Sequence, residues 1–249
     1  MFERLVDFWR VLAPKWKVLL GVGVALVVVL VVFGTRIVYR FILKDVPPPL
    51  PAYETVELNN NVWTAEERQW YYHTSQGSQI MPYDWFVALE QGDNDRPFIA
   101  EENLSRFRVI PDTNTLGNPD RLPVGFAKDD PDPVTKTVNV GFSCATCHTA
   151  QVTYKGKSFI VDGAPGRLNF DDFVGALVGS LLVTVGPPVL NPKWDRFARK
   201  VLKENYSLDN SARLRIEVAK FTEGQLAGVE KQKQADRRSG LSPTPGGFG

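Results

Sequence analysis

The sequence predicts a mainly α-helical chain: one N-terminal transmembrane helix, then a loop-rich domain with a small β-hairpin. Three observations predict it. An apolar run near the N-terminus holds no charged residue, apolar residues recur at helical spacing beyond position 170, and residues 93–140 are dense in Pro, Asn, Asp and Gly. The 249 residues carry 29 basic and 28 acidic side chains, a formal charge of +1. That balance excludes a nucleic-acid partner. Two cysteines are too few for a disulfide framework, and two histidines too few for a multi-histidine metal site.

From Val18 to Thr35 the chain reads VLLGVGVALVVVLVVFGT, closed by Lys17 and Arg36, with Trp16 and Tyr39 at interfacial positions. Its 18 residues reach about 27 Å as a helix, close to the hydrocarbon thickness of a bilayer. No small-residue cleavage signal follows, so an uncleaved anchor is expected. Arg4, Arg10, Lys15 and Lys17 precede the run, against Arg36, Arg40 and Lys44 after it. This excess places the N-terminus in the cytoplasm. The expected segments are a cytoplasmic N-terminus at 1–17, a transmembrane anchor at 18–35, a juxtamembrane and Pro-rich spacer at 36–52, and a domain at 53–249. In the spacer, Val46 to Ala52 reads VPPPLPA, an extended polyproline segment.

Thr64-Ala65-Glu66-Glu67 is a capping box that opens a helix to about His73. Pro82 opens a second helix with Trp85, Phe86 and Leu89, stopped at Gly92. Residues 93–140 are expected to be irregular and to cover a ligand. Val152 to Val161 alternates around Lys155-Gly156-Lys157, a hairpin. A helix from Asp171 to Val185 carries Phe173, Val174, Leu177 and Leu181 on one stripe and ends at Gly186-Pro187-Pro188. Asn191 and Pro192 cap and open the next helix, which buries Trp194, Phe197, Val201 and Leu202. The last helix, about Leu208 to Gln234, carries Leu214, Val218 and Phe221.

Cys144-Ala145-Thr146-Cys147-His148 is the sharp chemical signal. It holds both cysteines and one of the two histidines. C-x-x-C-H suits one covalent haem c: the Cys144 and Cys147 thiols reach two vinyl groups, and His148 becomes the proximal iron ligand. A thioredoxin-like pair would want a preceding strand and a βαβ context. Zinc would want four ligands, and only His73 can supplement the motif. A structural disulfide fits the spacing but leaves His148 unexplained. Haem c is attached outside the bacterial cytoplasmic membrane, so the domain at 53–249 is expected in the periplasm as a cytochrome c-type domain, anchored to the inner membrane.

No methionine or histidine lies in residues 149–249. The distal candidates are therefore His73, which follows Trp70-Tyr71-Tyr72, and Met81; otherwise the iron is open or loop-ligated. A bis-ligated iron suits electron transfer, whereas an open one suits O₂ or peroxide. Asp162, Asp171 and Asp172 are acid–base candidates and Arg167 a propionate partner, although helix capping and surface exposure account for them equally.

Several stretches together carry a resemblance: Trp70 to Gly77, Met81 to Phe86, Ala88 to Glu90, Leu122-Pro123-Val124-Gly125-Phe126, the cysteine motif with Thr149, Tyr154-Lys155-Gly156, Asp162-Gly163-Ala164-Pro165, and Pro243 to Gly249. Over about residues 63–249 the chain resembles the rubber-oxygenase-like branch of the dihaem cytochrome c peroxidase superfamily. The resemblance implies a secreted or anchored periplasmic cytochrome with two c-type haems. It also implies that Cys144, Cys147 and His148 hold the N-terminal haem, which in the rubber oxygenases binds O₂ while the other relays electrons in polyisoprene cleavage. A second C-x-x-C-H is absent. The chain is then expected to be the N-terminal part of a longer protein or a form that lost its second haem half, and the dihaem relay does not carry over.

Two functions follow as expectations. One is a membrane-anchored monohaem cytochrome passing electrons to redox protein partners, alone or within a larger membrane complex. The other is a haem-dependent oxygenase or peroxidase with an open iron. A structural haem in an assembly subunit is a third.

Overall fold

The computed structural model describes residues 14–38, 47–51, 54–58, 63–112, 114, 117–186 and 191–239. The expectations placed on Arg4, Arg10, Tyr39, Arg40, Lys44, Pro187, Pro188 and the segment Pro243 to Gly249 lie outside these residues. The chain divides into two compact units, Met1–Asp45 and Val46–Gly249.

In the first unit a single helix, α1, spans Pro14–Val38. Here the expected anchor is corrected: among the described residues no helix is long and apolar enough to cross a membrane. Charge bounds the uncharged run closely on both sides. Lys15, Lys17 and Arg36 fall inside the same helix. With the anchor go the fold class built on it, the reading of a transmembrane, membrane-held protein, and the single-pass inner-membrane location with a periplasmic domain.

The second unit begins with the proline segment. Rather than standing off as a spacer, it is tied to its own unit. The Leu50 N–H donates to Ser105 Oγ at 3.2 Å and Arg106 donates to the Pro47 carbonyl at 3.5 Å. Strand β1 (Glu54–Glu57) follows, then helix α2 (Ala65–His73). The Thr64 capping box is present with both of its hydrogen bonds. Pro82 does not open the second helix. It pairs in strand β2 (Met81–Pro82) and caps α3 (Tyr83–Ala88), because proline lacks only the N–H that an edge strand can spare.

The stretch 93–140 holds more order than its composition suggests. It contains the helical turn α4 (Glu101–Leu104), a 3₁₀ turn at Ser105–Phe107, strand β3 (Phe126–Lys128) and the start of β4 (Asn139–Phe142). Helix α5 (Cys144–His148) leads directly into β5 (Thr149–Tyr154) and β6 (Lys157–Asp162). The expected hairpin is therefore one edge of a three-stranded sheet ordered β1-β6-β5, with β1 parallel to β6. A second sheet is ordered β2-β4-β3. Three longer helices close the unit: α6 (Phe170–Val185), α7 (Pro192–Leu202) and α8 (Leu208–Ser239).

Packing explains why a segment rich in turn residues is ordered. Phe98, Phe107 and Phe126, all drawn from 93–140, are buried with Phe86 and Phe173. Their ring centroids lie 5.6–6.4 Å apart in stacked and edge-on pairs. Each such pair contributes about 0.5–1.5 kcal/mol beyond its area burial. Tertiary burial thus overrides weak local propensity. A smaller cluster of Tyr72, Ile110, Val124, Ala145 and Ile160 sits apart from this core, and it is the one that supports the cysteine motif.

Candidate functional site

The motif forms one short helical turn, α5, between the two sheets. Ser143 caps it: the Ala145 N–H donates to Ser143 Oγ at 3.3 Å, while that hydroxyl donates to the Tyr72 carbonyl at 2.9 Å. Ala145 points inward and is 1% exposed, whereas Cys144, Cys147 and His148 are exposed. Residues three apart share one face of a helical turn, so burying Ala145 turns both thiols outward together. Both thiols are free, which removes the disulfide reading.

Three backbone approaches hold the turn from behind. The Ser143 N–H donates to the Gly125 carbonyl at 2.7 Å, and Thr146 Oγ1 donates to the same oxygen at 2.5 Å. The Gly166 N–H donates to the Cys147 carbonyl at 2.7 Å. The His148 carbonyl accepts from the Gly163 N–H at 2.7 Å and from the Tyr71 hydroxyl at 2.8 Å. Glycine is required at two of these places. A β-carbon on Gly125, whose φ is +86°, would lie 2.5 Å from Thr146 N, and one on Gly166 would lie 2.4 Å from the Thr146 carbonyl oxygen.

Tyr71 packs edge-on against Trp63 at 4.8 Å. Burial pushes its phenol pKa up, helped by Asp162 and the two cysteines and opposed by a bond with Thr149, so the hydroxyl stays a donor. Asp162 is not a helix cap. It accepts from Arg68 Nε at 3.0 Å and from the Tyr72 hydroxyl at 2.8 Å, with Thr149 Oγ1 at 3.5 Å, joining α2 to β6 behind the motif. Asp171 and Asp172 stand in the first turn of α6, where Asn169 is the cap. They are not gathered at the motif.

The distal candidates are engaged elsewhere. His73 places Nδ1 2.7 Å from the Phe126 carbonyl oxygen and Nε2 2.9 Å from Asp112 Oδ2. Asn118 Nδ2 also lies 3.4 Å from Nε2, so both ring nitrogens already have protein partners. Asp112 also accepts from Gln69 Nε2 and from the Asn114 N–H, each at 2.9 Å. Burial alone would raise its carboxyl pKa, but the bonds from His73, Asn114 and Gln69 hold it below the ordinary value. Met81 is 1% exposed in the main core, paired across to Val140. The helix that carries His73 packs on the motif turn through Tyr72, whose carbonyl accepts from Ser143, while the His73 ring itself is held by Phe126 and Asp112.

Beside α5 opens a shallow cleft of about 270 Å³, its open mouth included. Val109, Ile110, Val124 and Leu168 form apolar walls, and Arg108 and Arg167 also line it. The sequence points to Arg167 but not to Arg108, Asp112, the Tyr71 clamp or the two close-approach glycines. Gly125 and Gly166 had a signal in their Val-Gly and Pro-Gly turns. Arg108 had none.

Two chemical expectations change. Strand β4 does precede the motif, but it is antiparallel to β3 in one sheet while β5 belongs to the other, so no βαβ unit surrounds the cysteines. Among the described residues no group of three or more His, Cys, Asp or Glu side chains is placed to hold a metal ion. The metal-binding label and the zinc alternative are corrected on that ground. Asp112 and Asp162 are already committed to His73, Arg68 and Tyr72.

No family model and no solved structure matches the chain. It is similar to the uncharacterized protein y4iJ of Sinorhizobium fredii (strain NBRC 101917 / NGR234), 32% identical over 243 residues. The match covers 90% of this chain and 38% of that protein, so the chain spans well under half the length of its relative. That name speaks for no cofactor, and the cytochrome label draws no support from it.

Proposed function

We propose that Cys144 and Cys147 carry one haem c through two thioether bonds, with His148 as proximal iron ligand, and that the chain works in electron transfer with a redox protein partner. One observation carries the reading: two free, exposed thiols and an exposed imidazole stand on a single turn whose backbone is fixed from behind. The donor set fits the group, since thioether formation needs both thiols accessible and on one face. Bound there, the haem would supply a centre that gains and loses one electron.

The chain's own residues do the positioning. Gly166 fixes the Cys147 carbonyl, and Gly163 and Tyr71 fix that of His148. A ligand held in place by preorganised bonds costs little rearrangement when charge changes. The buried Ala145 keeps the turn from rotating.

A second reading has its own support. His73 has both nitrogens occupied and Met81 is in the core, which favours an iron without a protein ligand on its distal side. Such a site suits a haem-dependent oxygenase or peroxidase using O₂ or peroxide, as the resemblance to the rubber-oxygenase-like branch implies. Carbon monoxide separates the two. A visible spectrum of the reduced, loaded protein that is unchanged by carbon monoxide at neutral pH supports the electron carrier, and rapid binding supports the oxygenase or peroxidase.

A further inference from the structure

Two guanidinium groups stand unanswered beside the motif. Arg108 and Arg167 are exposed and line the same cleft as Ala145, Thr146 and Thr149. Among the described residues neither side chain has a hydrogen-bond or ion-pair partner. Other arginines are committed: Arg68 to Asp162, Arg96 to Glu102, Arg196 to Glu90.

Arg108 is also held in a left-handed backbone, φ +58°, at the end of the Ser105–Phe107 turn. That conformation costs a residue with a β-carbon on the order of 1 kcal/mol, and glycine would adopt it freely. An arginine kept where glycine is unstrained points to use of its side chain. The same cleft carries the apolar side chains of Val109, Ile110, Val124 and Leu168 beside Thr146 and Thr149, and apolar walls strengthen attraction for an anion by lowering the local dielectric. The cleft is open, and its 270 Å³ includes solvent space at the mouth, whereas sites for a whole small molecule enclose it. It suits one carboxylate-bearing arm. Arginine is the side chain matched to that group, through paired N–H donors.

We infer that Arg108 and Arg167 form a carboxylate clamp which, resting on the attachment reading above, grips a propionate of a haem bound at Cys144 and Cys147. A cationic clamp favours the ionised carboxylate and so lowers its pKa. It also favours the reduced, more electron-rich state of the centre and raises its midpoint potential.

The test uses the full chain, produced with haem c maturation, as wild type, Arg108→Gln, Arg167→Gln and the double variant. Midpoint potential is followed by spectroelectrochemistry from acid to alkaline pH, and haem content by haem stain after denaturation. Covalent haem is expected in every form. The double variant is expected to show a lower potential, with the pH break of the propionate moved upward; Arg108→Lys should restore part of the shift. A parallel titration with succinate asks whether the clamp instead takes a free carboxylate. Saturable binding to wild type, weakened roughly tenfold or more in the double variant, assigns the same clamp to a free ligand. A loaded double variant with unchanged potential and pH profile, together with no succinate binding to wild type, overturns the clamp and leaves attachment standing. Wild type without covalent haem overturns the attachment reading itself.

Discussion

At the scale of single residues, the account turns on contacts that leave no choice of side chain. Gly125 meets Thr146 backbone where a β-carbon would lie at 2.5 Å, and its φ is +86°. Gly125→Ala should therefore lose about 1–3 kcal/mol, read as a lower midpoint in chemical denaturation, and should expose α5. An unchanged midpoint would mean that the turn is not held from this side. Asp112 gives a pH prediction. Its folded pKa is depressed, so its contribution is present above the unfolded value of about 3.9 and is lost as pH falls through the folded one. Asp112→Asn should be less stable than wild type at neutral pH, and the difference in thermal midpoint should close in acid. A constant difference from pH 7 to pH 3 would contradict the role given to the His73 pair. The cysteines and His148 were legible because five adjacent residues carry their own signature. The occupation of His73 was not, since its partners Asp112 and Phe126 lie 39 and 53 positions away.

Among the elements, local rules worked where the stabilising contact is itself local. The Thr64 box, the Asn191 cap and the Pro192 start all lie within three residues of what they satisfy. They failed where the partner is distant. Strand β1 pairs in parallel with β6 across a separation of about one hundred residues, and no periodicity marks four residues as its partner. The same holds for the segment just past α3, where Glu90 ties the chain to α7. Glu90 is 3% exposed and accepts from Arg196 at 2.7 and 2.6 Å, with Lys193 at 3.7 Å. Arg196→Ala would remove two charge-assisted bonds from a buried carboxylate and should cost about 1–3 kcal/mol. Lys193 remains to compensate in part, so a loss well beyond that range in thermal unfolding would show that the ion pair does more than join two helices.

For the whole molecule, composition misled in both directions. The apolar run suggested a membrane anchor, whereas among the described residues no helix is long and apolar enough to cross. The region 93–140 suggested an irregular cover, and its phenylalanines instead supply much of the core. What survives both corrections is a turn with two outward thiols and an imidazole, clamped by loops from three parts of the chain. The direct measurement is covalent haem content after production with haem c maturation, by intact-mass analysis of the denatured protein. The account predicts the mass of one haem on each wild-type chain and none on a Cys144→Ala, Cys147→Ala variant. A folded wild-type chain that emerges unmodified, with two titratable thiols, would contradict it.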